Sequence, residues 1–186
     1  MLNPSYPIET PRLLLRPFTM DDLDELHSFH SRPDVARYLY WEARTRDETR
    51  TALEAKTRQA ALSEENDTLS IAVELRETGA LIGDLYLFWR SREHRQGEIG
   101  FAFHPAHHGR GYATEASGEL LRLGFADLGL HRIYARCDSR NTASSRVMER
   151  LGMRREAHLV ENEIFKGEWS DELVYGMLRR EWTATA

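Results

Sequence analysis

The spacing of apolar residues changes along the chain, and each change predicts a different kind of element. A short apolar run at about residues 12–17, built on Leu13, Leu14 and Leu15 and closed by Pro17, reads as a strand. Thr19 followed three residues later by Asp22 is a helix-start pair, and Leu23, Leu26 and Phe29 then share one helical face. A short helix at about residues 33–39 follows, and a longer one runs from Thr45, paired with Glu48, to about residue 62. Beyond it the pattern turns strand-like. Runs at 68–77, 81–90 and 97–104 are separated by Thr78–Gly79 and by the polar stretch 91–96, which predicts an antiparallel meander. A helix at about 114–128 carries Leu120, Leu121, Leu123, Phe125 and Leu128 on or near its buried face. Then come a strand at 132–138, a helix at 142–151 stopped by Gly152, and two strands at 154–165 and 171–178 joined at Lys166–Gly167. The order β-α-α-α-β-β-β-α-β-α-β-β predicts an α/β (α+β) domain with a mixed sheet.

Composition narrows the class of function. A length of 186 residues, 41% hydrophobic and 30% charged, suits one soluble globular domain. No stretch approaches the roughly 18 apolar residues of a membrane span. The three leucines near the start are fewer than the about 7–15 residues of a signal-peptide core, so the expected location is cytoplasmic. Cys137 is the single cysteine, which excludes an internal disulfide and a cysteine-based zinc cluster. All basic residues except Lys56 and Lys166 are arginine, spread along the chain rather than gathered in a patch. The net charge of −5 argues against nucleic acid as a partner.

The segment Phe101–Ala116, FAFHPAHHGRGYATEA, is the richest in candidate chemistry. A strand runs into a loop with Gly109 and Gly111 and then directly into a helix. The first N–H groups of a helix lack intrahelical partners and attract an anion, while glycines let the main chain approach a phosphate and Arg110 adds charge. The dinucleotide pattern G-x-G-x-x-G/A fails at Thr114, and no Gly-Lys-Ser/Thr of a P-loop exists. On these residues alone the loop is either a phosphate cradle or a glycine-rich turn that binds nothing. His104, His107 and His108 sit in this loop, where their spacing does not align them for a metal, and no metal is expected.

Two further segments, with this loop, carry a resemblance. Ala106–Gly111 resembles the Q/R-x-x-G-x-G/A motif of the GNAT acetyltransferase superfamily, with Ala106 in place of its leading residue, and Gly111–Ala116 is similar to the GYATEA run of the Rim-type branch. Asn141, Ser144, Val147, Glu149, Arg150, Leu151 and Gly152 match N-x-x-S-x-x-V-x-E-K/R-L-G-F, with Met153 where Phe is usual. Glu9–Arg16 resembles the N-terminal strand signature of the same branch, whose members acetylate the N-terminal amine of ribosomal proteins. The resemblance spans about Ile8 to Leu178. It implies a single N-acetyltransferase domain over residues 8–180, with 1–7 and 181–186 as terminal extensions. The implied fold is a GNAT-like mixed, mostly antiparallel seven-stranded sheet flanked by helices, with a splayed parallel strand pair.

The resemblance also implies a reaction: acetyl transfer from acetyl-CoA, as co-substrate, to a primary amine by direct attack in a ternary complex. The cofactor-binding residues it implies are Phe101, Ala102 and Phe103 along the pantetheine arm. His108, Gly109, Arg110, Gly111, Tyr112, Ala113 and Thr114 are assigned to the phosphates, and Asn141 and Ser144 to the next helix. Amine attack needs a base, a carbonyl donor and a proton for the leaving thiolate. Glu98 is the candidate base, against the alternative of a surface glutamate on a strand. Ser144 is the candidate acid, against a small residue packing near CoA; Met148 stands where many superfamily members carry a tyrosine. Tyr112 and Tyr134 read as packing residues, Tyr175 as a reserve acid, and Cys137 as a buried thiol. Tyr40, Trp41 and Glu98 are the expected acceptor-site residues, with Tyr38, Glu161, Glu163 and Trp169 nearby. Expected partners are acetyl-CoA, an amine acceptor that is a small molecule or a protein N-terminus, and, as in the resembling branch, a second copy in a homodimer. Neither nucleic acid nor membrane is expected. A non-catalytic acyl-CoA-binding regulatory module on the same fold stays open, because Ala106, Met148 and Met153 depart from the motifs.

Overall fold

A computed structural model describes residues 1–182. The chain forms β1 (Ile8–Glu9), β2 (Leu13–Arg16), α1 (Leu23–His30), α2 (Pro33–Ala36), α3 (Arg46–Thr57), β3 (Thr68–Leu75), β4 (Leu81–Ser91) and β5 (Gln96–Phe103). It continues with α4 (Tyr112–Arg122), β6 (Arg132–Asp138), α5 (Thr142–Arg150), β7 (Arg154–Phe165) and β8 (Glu168–Leu178). The strands make one eight-stranded sheet in the order β1-β2-β3-β4-β5-β6-β8-β7. The expected seven strands become eight because Ile8–Glu9 folds back on Leu14–Leu15. Among the described residues, only β5 and β6 pair in parallel.

Local chemistry explains most element ends. Thr19 and Asp22 form the capping box anticipated from their spacing, and so do Thr45 and Glu48. Gly152 ends α5 with φ at +81°, a conformation that favours glycine. The expected extension of α3 to residue 62 fails for a tertiary reason. Ser70 captures Gln59 through Ser70 N–H to the Gln59 carbonyl at 2.8 Å and Ser70 Oγ to Gln59 Oε1 at 2.6 Å. Leu62 instead bridges to Leu2, so the segment ahead of β1 packs against the body. The helix expected at 114–128 begins earlier, at Tyr112, and passes at Leu123–Asp127 into a π-helical turn. Of the expected extension 181–186, the last four residues lie outside the described residues.

The sheet has two differently furnished faces. On one, Ile99, Ile133, Ala135, Tyr175 and Met177 pack under α4 and α5 against Leu120, Leu121, Phe125 and Met148. On the other, α1 and α3 cover β3 and β4 through Leu23, Leu26, Phe29 and Leu53. The uncovered part of that second face holds polar residues in register: Asp84 beside Ala102, Tyr86 beside Gly100, Glu98 beside Tyr134, and Asp138 beside Glu172. Leu120 is fully buried under the sheet. Leu120→Ala is expected to cost ~2–5 kcal/mol in urea unfolding, whereas the exposed Val160→Ala stays within about 0.5 kcal/mol of wild type.

Candidate active site

Strands β5 and β6 pair only at Gln96–Arg132, Gly97–Ile133 and Glu98–Tyr134. Beyond Glu98 they part. β5 stays bound to β4 as far as Phe103, and β6 to β8 as far as Asp138, so their facing edges have no strand between them. Two cavities open from this notch. One, of about 370 Å³, lies on the α4–α5 side; the other, of about 230 Å³, lies on the polar face. They share Tyr38, Leu39, Phe101, Ala102, Asn141 and Ser144 in their walls and therefore adjoin.

The larger cavity is walled by the loop leading into α4. Gly109 and Gly111 take φ of +76° and +81°. The open space at Gly109 shows that conformation, not crowding, calls for glycine there. Among the described residues, none of the backbone N–H groups from Gly109 to Thr114 meets a protein acceptor, and Thr114 Oγ1 is buried without a partner. A run of unmet donors at a helix start fits a phosphate. Arg12 holds this loop from behind. It donates from N–H at 3.0 Å and Nε at 2.6 Å to Glu115, from Nη1 at 2.8 Å to the Arg110 carbonyl, and its guanidinium lies over the Tyr112 ring. Thr10 adds a 2.7 Å bond to Glu115. Burial opposes the Glu115 charge, but these bonds outweigh it and hold its pKa below the usual glutamate range.

Every expected cofactor residue except Arg110 lines this cavity. The Arg110 carbonyl is engaged by Arg12. At the start of α5 the Asn141 side-chain oxygen caps the helix by accepting from Ser144 N–H at 3.1 Å, and Asn141 lines the cavity. The Ser144 hydroxyl has no hydrogen-bond partner among the described residues. Arg146 and Arg150, one turn apart on α5, also line the cavity, and neither was expected at the site. Their spacing in the second motif segment was the available signal. Of the loop histidines, His108 Nε2 lies 3.0 Å from the Phe103 carbonyl, and His107 keeps a buried, unpartnered Nδ1. No group of three or more potential metal ligands gathers among the described residues.

The smaller cavity contains Glu98, only 6% exposed, so it is not a surface glutamate. Gly100 makes its surroundings. A Cβ there would lie 2.2 Å from Tyr86 Cε1, and without it the Tyr86 ring crosses β5 and brings Oη to 3.5 Å from Glu98 Oε1. Arg136 reaches Glu98 and Glu172, each at 3.2 Å. One cation thus serves two buried carboxyls. Burial raises the Glu172 pKa, and the nearby Glu163 and Glu98 charges add to the rise against the pull of Arg136. Tyr40 and Trp41 both line this cavity, Tyr40 donating to Glu163 Oε1 at 2.6 Å and Trp41 packing on His30. Tyr38 and Glu163 line it too; Glu161 and Trp169 do not. Tyr175, buried in the core, donates to Glu149 at 3.0 Å and faces neither cavity. Sequence reasoning missed Asp84, Lys56, Tyr86, Arg136 and Glu172, because strand register brings the other four together and Lys56 reaches them from α3.

The chain matches the model of the acetyltransferase (GNAT) domain over residues 12–154. It belongs to the GNAT acetyltransferase family. The uncharacterised N-acetyltransferase YnaD of Bacillus subtilis (strain 168) is 33% identical over 175 residues, covering 94% of this chain and 98% of the relative. A GNAT-family acetyltransferase from Bacillus anthracis superposes with a TM-score of 0.84 at 33% identity, covering 93% and 98% of the two chains. The spermidine N-acetyltransferase of Vibrio cholerae, solved with CoA and spermine, gives a TM-score of 0.78 at 25% identity, covering 92% and 98%. The protein is an N-acetyltransferase of this family, whose enzymes use acetyl-CoA.

Two outcomes test the electrostatics. Burial lifts the Cys137 thiol to about 12, so alkylation by iodoacetamide at pH 8 should be at least about tenfold slower than for a free thiol near 8.5. Burial alone would raise the Asp84 carboxyl, but Lys56 at 2.9 Å and His30 at 3.2 Å hold it at about 2. A depressed carboxyl contributes stability in full above its unfolded pKa and loses it as pH falls through the folded one. Urea midpoints should therefore fall between about pH 4 and pH 2 more steeply in wild type than in Asp84→Asn.

Proposed function

We propose that the protein transfers the acetyl group of acetyl-CoA to a primary amine, protein N-terminus or small molecule, by direct attack within a ternary complex. The single observation that carries this reading is that the two cavities adjoin at the notch between β5 and β6, with Phe101, Ala102, Asn141 and Ser144 in the walls of both. A thioester placed on one side is reached by an amine from the other. The residues fit the co-substrate. The unmet amides of Gly109–Thr114 suit its pyrophosphate, and Phe101–Phe103 offers an unpaired strand edge to its amide-bearing arm.

On the polar face the carboxyls outnumber the cations. Asp84 is matched by Lys56, and Asp138 by Arg140. Glu98 and Glu172 share Arg136, and among the described residues Glu163 has only the Tyr40 hydroxyl. This excess favours an acceptor that arrives as an ammonium. Glu98 accepts the proton released from that ammonium, directly or through a water. The neutral nitrogen attacks the carbonyl carbon, the carbon–sulfur bond breaks, and the Ser144 hydroxyl gives its proton to the departing thiolate and takes up the second proton that the nitrogen loses as the amide forms. Arg136 and Tyr86 position the Glu98 carboxyl.

Glu98→Gln is expected to lower kcat by about 10²–10⁴-fold while leaving the calorimetric Kd for acetyl-CoA unchanged. Unchanged turnover would remove Glu98 as the base. Tight acetyl-CoA binding with no transfer to any amine in a thiol-release panel would favour the non-catalytic binding module instead.

A further inference from the structure

The roof of the polar cavity is fastened to the hairpin beside it. Residues 36–42 pass over the cavity, and Tyr38, Leu39, Tyr40 and Trp41 line it. The tip of the β7–β8 hairpin stands opposite. There Lys166, at a φ of +52°, sends its ammonium back across the gap. Nζ donates to the Ala36 carbonyl at 2.8 Å, to the Trp41 carbonyl at 3.0 Å and to Glu42 Oε2 at 3.2 Å. An ammonium has three donors, and all three are used on one loop. Next to it Tyr40 Oη donates to Glu163 Oε1 at 2.6 Å, and the Tyr40 ring meets Phe165 edge-on at 5.5 Å. From the other side Arg44 ties the loop down, its N–H to the His30 carbonyl at 3.0 Å and its guanidinium over Trp41.

These bonds leave no room for a main chain between loop and hairpin, since even a paired strand stands about 4.7–4.9 Å from its neighbour. The space behind them, about 230 Å³, lies below the roughly 300–1,000 Å³ of sites for drug-sized ligands. The geometry points to a latch, made of Lys166 and the Tyr40–Glu163 pair, that restricts the acceptor to small free amines and keeps polypeptide N-termini out. This inference rests on the acetyl-transfer reading above and chooses between the two acceptor classes that reading contains.

The test compares acceptors that differ in size. Alaninamide and 1,4-diaminobutane are set against a hexapeptide beginning with alanine, with CoA release as readout, in wild type, Lys166→Met and Tyr40→Phe. Wild type should turn over at least one small amine with kcat/KM at least about 100-fold above that of the hexapeptide. Either latch variant should narrow this ratio about tenfold, as expected for loss of a charge-assisted hydrogen bond. A general loss of activity from damaged packing would lower both acceptors together and leave the ratio unmoved. A wild-type hexapeptide rate within about 100-fold of the best small amine, or a ratio unmoved in both variants, overturns the latch. Release of CoA to no amine at all overturns the acetyl-transfer reading itself.

Discussion

The parting of two parallel strands is the constraint on which the rest of the molecule depends. β5 and β6 pair for three residues and then follow different partners, β4 on one side and β8 on the other. Their outer edges are satisfied and their inner edges are not. Buried backbone donors and acceptors are costly when left unpaired, so the notch is a place for a ligand with amides of its own. Because each strand is held by a long antiparallel ladder, the notch is built into the sheet and does not wait for a ligand to open it. The two cavities, the capped start of α5 and the loop into α4 all converge on it.

Charge is handled differently on the two sides. On the α4 side the loop presents backbone N–H groups without protein acceptors, and the arginine that supports them acts indirectly. Arg12 neutralises Glu115 and holds the Arg110 carbonyl, so that the loop keeps its amides pointed outward. This gives Arg12, near the start of the chain, a part in a site about a hundred residues later. On the polar face the balance is reversed. Arg136 serves two buried carboxyls, and Glu163 is met by a tyrosine hydroxyl. A donor-rich cavity and an acid-rich one therefore adjoin at the notch, an arrangement of opposite preference for charge on its two sides.

Much of this was legible along the chain. Capping pairs at Thr19–Asp22 and Thr45–Glu48, the positive-φ glycines and the β6 and β7 boundaries follow from local chemistry, and the structure reproduces them. The loop from His108 to Thr114 was legible for the same reason, since its donors, glycines and helix start are contiguous. What was not legible depends on partners far away in sequence. Residues 59–62 have helical character, but Ser70 and Leu2 claim them. Ile8–Glu9 is too short to announce itself as a strand without Leu14 and Leu15 to pair with. Glu98 sits in a strand whose alternation could equally have put it in solvent; its burial comes from Tyr86, Arg136 and the sheet on both sides.

By itself, then, the sequence determined the order of the longer elements, the mixed sheet and the glycine-rich turn into α4, because these rest on side-chain period, capping and φ preferences within a few residues. It also contained the family, in motif residues that lie close together along the chain. The tertiary structure alone decided the acid-rich cavity. Asp84, Tyr86, Glu98, Arg136 and Glu172 come from four strands and meet only through register. Lys166 closes on residues 36–42 only because the sheet brings the last hairpin beside the second helix. A hydrogen bond between groups more than a hundred residues apart leaves no periodicity to read, so the fastening of this loop to the hairpin was settled by folding.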